Sequence, residues 1–273
     1  MAASVSDLIP VETAKHLPGL FHERVQRSSQ AIAYRYYVES EEAWRDLSWQ
    51  DMADAVALWQ TAMHKVGLKP GDRVGIMLRN CPQWAMFDQA ALGLGLVVVP
   101  LYTNDRAENL GYIMEDADVQ LVFIEKNEHW ECLSEVYHRL THIKTIITLE
   151  KLEGVHDDRV QYMNDWLPDE PQSLELPDID PKSLATIVYT SGTTGKPKGV
   201  VMTNDNILIT AQNSVKFDNL TENEEIVSYL PMAWVGDHIF SYAQAYVTGF
   251  CVNCPENPET VSTDLKEIGP TYY

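Results

Sequence analysis

Twelve consecutive residues concentrate the chemistry of this chain: Tyr189-Thr190-Ser191-Gly192-Thr193-Thr194-Gly195-Lys196-Pro197-Lys198-Gly199-Val200. Hydroxyls at Thr190, Ser191, Thr193 and Thr194 are hydrogen-bond donors, and Lys196 and Lys198 supply positive charge. Glycines at 192 and 195 let backbone N–H groups approach one point closely, which is what binding a phosphate requires. A charge-assisted hydrogen bond contributes roughly 1.5–3 kcal/mol, so several together can hold a polyphosphate. The segment is not a Walker loop, because Pro197 stands where that motif needs its second glycine. Nor is there a dinucleotide fingerprint: Gly93-Leu94-Gly95 is followed by Val98 at the third glycine position.

The surrounding charge makes such a cluster necessary. Forty acidic against twenty basic residues give a net charge of −20, a field that repels nucleic acid. An anionic ligand must therefore be held by a local set of donors. Other constellations have ordinary explanations. Cys251 and Cys254 have zinc-knuckle spacing but no second pair, and read as small buried thiols. His138 and His142, with Cys132 nearby, read as an exposed helix face; Glu41-Glu42 and Asp157-Asp158 read as solvated loops. No side chain is singled out as a catalytic acid, base or nucleophile.

The elements that must position the loop follow from periodicity. An alternating aromatic strand over 31–38 leads through a hairpin connection over 40–46. Ser48 and Asp51 form a capping-box-like start for a helix carrying Met52, Val56, Trp59, Met63 and Val66, which Gly67 closes. Strands are expected at 73–78, 96–100, 119–124 and 144–149. Helices beginning at Pro82, at Asp105 with Glu108, and at Asn127 separate them. Strands separated by single helices imply a parallel, doubly wound α/β arrangement. Residues 154–182, rich in proline and acids, read as a surface connection dividing a first α/β block (1–153) from a second (183–273). In the second block, strand 184–189, the phosphate loop and helix 204–215 follow one another directly. Strand 225–230, helix 237–248, strand 250–253 and a helix over 259–267 come next, and 270–273 reads as the start of another buried strand.

Residues 1–10 lack a basic region of signal-peptide type, and the longest apolar run, 90–101, is too short to span a bilayer. Four cysteines in 273 residues do not read as a disulfide framework. The cytoplasm is the expected compartment, and peripheral membrane contact is compatible with this composition.

The twelve-residue segment resembles the signature loop of the adenylate-forming superfamily: acyl-CoA synthetases, luciferases and peptide-synthetase adenylation domains. The resemblance extends along the chain. Leu47-Ser48-Trp49, 68–74, Asn80 with Pro82 and Trp84, 95–100, Leu230-Pro231-Met232-Ala233 and 264–270 are similar to that family's N-terminal half, in the same order. It implies an α/β fold of mixed sheets flanked by helices, here a partial AMP-binding domain over 1–273.

It also implies the chemistry: activation of an acid by Mg2+-ATP to an acyl-adenylate, then transfer to coenzyme A. Implied phosphate contacts are Thr190, Ser191, Gly192, Thr193, Thr194, Gly195, Lys196 and Lys198, with Thr190 also the candidate Mg2+ contact. Trp234 occupies the position of the gate to the acid pocket, with His238 one turn later; an ordinary core role stays open for both. Asn204-Asp205 departs from the His-Arg of many relatives. Pro100-Leu101-Tyr102-Thr103-Asn104-Asp105 and 234–238 look most like long-chain fatty acid–CoA ligases. Ligases of aryl, short-chain or amino acids, and a non-catalytic nucleotide-binding fragment, are the alternatives. The family's later motifs have no counterpart among these 273 residues, so the chain alone is expected to be inactive.

Overall fold

The computed structural model describes residues 8–170, 173–176, 178–191 and 195–273. Among them, eleven strands form two sheets. They are β1 (Ile32–Val38), β2 (Ala43–Ser48), β3 (Arg73–Met77), β4 (Val97–Pro100), β5 (Val119–Ile124), β6 (Thr145–Thr148), β7 (Val160–Tyr162), β8 (Leu184–Thr190), β9 (Lys198–Thr203), β10 (Glu225–Val227) and β11 (Cys251–Cys254). The seven-stranded sheet has the order β7-β6-β5-β3-β4-β8-β9, parallel throughout except for the antiparallel β8–β9 pair. The smaller sheet has the order β10-β11-β1-β2.

The expected parallel α/β arrangement is present, but the sheets do not follow the two sequence blocks. β8 and β9 extend the sheet of the first block, while β10 and β11 pair with the N-terminal β1 and β2. One core lies between the sheets. There the helices Leu17–Ser28, Trp49–Val66, Pro82–Gly93 and Asn204–Asp218 meet Tyr34 and Val252 of the small sheet and Val74, Ile76 and Leu121 of the large one. A second core covers the opposite face of the large sheet with Leu110, Ile113 and Leu133.

Local signals explain several boundaries. Ser48 Oγ accepts from Asp51 N at 3.1 Å and Ser48 N donates to the Asp51 carboxylate at 2.8 Å, a complete capping box. Gly67 ends that helix in the left-handed conformation, and Pro82 opens the next in its first turn.

Four expectations need correction. β9 lies between the phosphate loop and helix Asn204–Asp218, so the loop is the tip of an antiparallel hairpin, not a strand-to-helix connection. Its outward residues Val200 and Val201 are exposed, which hides the alternation that identifies a half-buried strand. Within 154–182, β7 joins the large sheet, and the turn Met163–Trp166 brings the Trp166 ring 5.5 Å from that of Trp59. Residues 270–273 form no strand: Thr271 N donates to Glu225 O at 2.8 Å, and Tyr273 is exposed. The region 40–46 belongs mostly to β2, the hairpin connection being the short 3-10 turn Glu39–Glu41.

Trp59 is buried against Phe87, Phe123 and Trp166 at centroid distances of 5.3, 4.8 and 5.5 Å. Trp59→Ala is expected to cost about 3–5 kcal/mol in a urea unfolding curve, from lost burial and the cavity left behind. A loss below about 1 kcal/mol would show that this cluster does not hold the two helices to the sheet.

Candidate functional site

The large sheet reverses its winding direction at β3. The chain passes from β3 to β4 on one side, then returns to β5 on the other. In open α/β sheets, ligands bind outside the carboxyl ends of strands at such a reversal. Here the ends of β3 and β4 open onto a cleft of about 240 Å³ whose walls include Arg79, Asn80, Tyr102 and Met232. A larger cleft of about 540 Å³ adjoins it, sharing Leu101, Tyr102 and Asn104 and reaching Thr190, Ser191, Pro197 and Trp234.

The hairpin forms one wall. Thr190 lies opposite Lys198 and Tyr189 opposite Gly199 in the β8–β9 register. Directly opposed residues share a sheet face, so the Thr190 hydroxyl and the Lys198 side chain project together. Tyr189 anchors the base: its hydroxyl donates to Asp116 Oδ2 at 2.6 Å, and burial, then Asp116, pushes the phenol's pKa up. A Cβ at Gly199 would meet Ile187 Cγ2 at 2.8 Å and the Tyr189 ring at 3.2 Å, so glycine lets that ring lie across the hairpin.

The segment 228–241 forms the other wall, held by a buried carboxylate. Asp237 Oδ2 accepts from Ser228 Oγ at 2.7 Å and Asn80 Nδ2 at 3.0 Å, and Oδ1 accepts from Ser241 Oγ at 2.7 Å. Asn80 Nδ2 also lies 2.7 Å from Leu230 O. Burial outweighs these hydrogen bonds and raises the Asp237 pKa to about 6. Asn80, just past β3, thereby fixes the chain beside Trp234.

The structure brings Thr190, Ser191 and Trp234 to the cleft, and Lys198 is paired opposite Thr190 in the hairpin without itself lining it. Gly192, Thr193 and Thr194 lie outside the described residues. Gly195 is exposed with φ 88°, in the left-handed region that favours glycine. Lys196 Nζ lies 5.4 Å from the centroid of the Tyr112 ring, a cation–π contact with helix Ala107–Asp116. Trp234 is 43% exposed and lines the cleft. His238 does not: it is buried, its ring edge-on to Trp84 (5.3 Å) and Tyr242 (4.9 Å) within the π-helical stretch His238–Ala243. Neither ring nitrogen has a hydrogen-bond partner, and burial lowers its pKa to about 4, so the imidazole is neutral. Asn204 is also buried and braces the fold, accepting from Leu17 N at 3.2 Å and donating to Ser183 O at 3.3 Å. Cys251 and Cys254 are buried, with burial pushing both thiols' pKa up.

Tyr102, Asn104, Asp105 and Asn109 line the cleft but were not among the expected site residues. Their signal was the sheet reversal, which depends on strand order and so on long-range pairing. The donor set suits a Mg2+-nucleotide: hydroxyls and a lysine for phosphates, and the Thr190 hydroxyl as a hard oxygen for Mg2+, which takes only one or two protein ligands beside phosphate oxygens. Among the described residues no group of three or more His, Cys, Asp or Glu forms a metal cage.

The sequence profile of AMP-binding enzymes matches residues 21–273, and the chain belongs to that family. A probable CoA ligase, CCL6, from Humulus lupulus is 30% identical over 241 residues, covering 83% of this chain and 36% of that protein. The human long-chain-fatty-acid–CoA ligase ACSBG1 is 24% identical over 266 residues, covering 92% of this chain and 36% of that protein. This chain thus spans about a third of the length of these curated relatives. Among solved structures, the anthranilate CoA ligase AuaEII, in complex with anthranoyl-AMP, superposes with a TM-score of 0.85 at 17% identity, covering 96% of this chain and 49% of that one. The N-terminal domain of FACL13 from Mycobacterium tuberculosis superposes with a TM-score of 0.78 at 19% identity, covering 92% of this chain and 60% of that one. Both confirm the adenylate-forming fold.

Behind the Trp234 wall, Asp88 is fully buried and accepts from the Tyr242 hydroxyl; burial raises its pKa to about 7. Between pH 4 and 7 the unfolded chain releases this proton while the folded chain keeps it, so Asp88 destabilises the fold as pH rises. His238 acts oppositely, its lowered pKa costing stability as pH falls from 6.5 towards 4. The isolating measurement is therefore the difference between wild type and Asp88→Asn. The variant should gain relative stability from pH 4 to 8, by up to the order of 4 kcal/mol. A pH-independent difference would place Asp88 as a carboxylate already ionised at neutral pH.

Proposed function

We propose that this chain provides the nucleotide-binding front of an acid–CoA ligase acting on long-chain fatty acids. The observation carrying the reading is a cleft lined by both Thr190 and Trp234, with Lys198 paired opposite Thr190 in the hairpin register. A phosphate-binding surface thus faces an aromatic, partly apolar slot, the two properties that joining ATP to an acid requires.

In the proposed reaction the acid's carboxylate oxygen attacks the α-phosphorus of ATP. The bond to the β-phosphate oxygen breaks and pyrophosphate leaves. A thiol, coenzyme A, then attacks the acyl carbonyl, AMP departs and the thiol proton passes to solvent. Thr190, Ser191 and Lys198, with the backbone of the loop, hold the phosphates and stabilise negative charge on the leaving group. Mg2+ neutralises the phosphates when bound, and Thr190 is the residue here that would hold it. Low-polarity walls from Leu101, Ile113, Val188 and Val235 suit an acyl chain. The names of relatives such as the human ACSBG1 ligase support long-chain acids, while the anthranilate ligase keeps an aryl acid as the second reading. No helix among the described residues is long and apolar enough to cross a membrane.

Lys198→Ala, in a protein as long as the curated relatives, is expected to lower acid-dependent ATP–pyrophosphate exchange by about 10- to 100-fold, consistent with losing one charged donor. Fatty-acid binding should change less than twofold. Equal loss of both activities, or of neither, contradicts the phosphate role. Trp234→Ala should shift the preference across acids of graded chain length while leaving the KM for ATP unchanged. An unaltered profile with a lowered Tm would make Trp234 a packing residue only.

A further inference from the structure

We propose that Gly236 determines where the Trp234 indole sits and, through it, which acids the cleft admits; the second part rests on the ligase reading above. A Cβ built on Gly236 would lie closer than 3.0 Å to Cε3, Cζ3 and Cη2 of Trp234. The six-membered ring of the indole therefore lies directly on the Gly236 backbone. That seat exists only because residue 236 has no side chain.

Which partner yields on substitution follows from how each is held. Gly236 is buried within the helical turn Val235–Asp237, with no positive φ to penalise an L side chain. The next residue, Asp237, is fixed by Ser228, Asn80 and Ser241, and Trp234 N is held by Pro231 O at 2.8 Å. The backbone is thus pinned on both sides. The clashing indole atoms are the far end of a side chain that is 43% exposed. An added methyl displaces the indole, not the helix. Because alanine is a better helix former than glycine, the substitution does not by itself weaken the turn.

The consequence concerns the cleft. Trp234 lines it beside Val235, in the same cleft as Tyr102 and Thr190. With the ring lying on Gly236, the cleft keeps its depth along that wall; a ring lifted by one methyl projects into the space or swings to solvent. Gly236 is a positioning residue, acting on the acid only through Trp234.

The test uses the protein labelled with 5-fluorotryptophan, which carries seven tryptophans. The fluorine resonance of Trp234 is assigned by its loss in Trp234→Phe. In Gly236→Ala that resonance should move and show a larger H2O/D2O solvent shift, while the other six stay in place. An unmoved Trp234 resonance, or movement of all seven together, overturns the proposal. In a protein as long as the curated relatives, Gly236→Ala should change the ratio of adenylate formation between short and long acids by fivefold or more. That change should vanish in a Trp234→Ala background, and its persistence there also overturns the proposal. If no variant activates any acid, the ligase reading fails, while the fluorine measurement still decides whether Gly236 seats the indole.

Discussion

The Asp237 carboxylate is the constraint on which the site depends. It is nearly fully buried, yet it draws together groups that are far apart in sequence: Asn80 after β3, Ser228 after β10 and Ser241 in the π-helical stretch. The large and small sheets share no strand, and this clasp is a polar link between the ends of β3 and β10. A buried carboxylate contributes little net stability unless its oxygens are satisfied, and here both are. What it supplies is position. Trp234, Gly236 and the turn Val235–Asp237 are located relative to β3 and β4 because Asn80 reaches both Asp237 and the Leu230 carbonyl. The raised pKa of Asp237 shows that desolvation exceeds the hydrogen-bond stabilisation, as expected where geometry has been favoured over net energy.

Electrostatics of the cleft bear on how a chain of charge −20 could present the surface proposed for phosphates. The carboxylates are segregated. Glu39, Glu125, Glu128, Glu150, Glu256 and Glu259 gather around a separate cleft beyond Arg79. The cleft at Thr190 has Asp105 as its one acidic wall residue among those described, and one oxygen of that carboxylate, Oδ1, accepts from Arg106 N at 2.7 Å and Asn109 Nδ2 at 2.8 Å. Asp116, at the end of helix Ala107–Asp116, accepts from the Tyr189 and Tyr112 hydroxyls. Fields beyond about 8 Å are largely screened at physiological salt, so local donors decide the sign of the potential there.

Much of the fold was legible because its signals are local. The capping box at Ser48 and Asp51, the left-handed Gly67 and the first-turn Pro82 each act within four residues, and each was found where expected. The parallel strands β3 to β6 were legible as short apolar runs between helices. What escaped has a common cause. β9 has Lys198, Gly199, Val200 and Val201 all exposed; since successive strand residues point to opposite faces, neither face of its first half is covered by core. β7 has three residues, and only pairing with β6 makes it a strand. His238 has the composition of a site residue, but Trp84, which packs edge-on against it, comes from a distant chain segment that composition cannot place beside it. The same holds for Gly236: its sequence neighbours give no hint that the indole two residues earlier folds back onto it.

The two walls of the cleft are built on different principles. The Trp234 wall is tied by the Asp237 hydrogen bonds and backed by the aromatic cluster of Trp84, Tyr242 and Tyr246. The hairpin wall stands at the sheet's edge: β9 pairs only with β8, and β8 meets β4 in a single registered pair, Val98 with Thr186. A further hydrogen bond, Thr186 Oγ1 to Val98 O at 2.8 Å, and the Tyr189–Asp116 bond supply what the ladder lacks. The exposed strand β9 carries the polar wall, while the segment around Trp234 is fixed by buried groups. That division suits the chemistry proposed for the cleft. Phosphates are recognised by donors that can close on charge, whereas an acyl chain is discriminated by the fixed shape of an apolar surface.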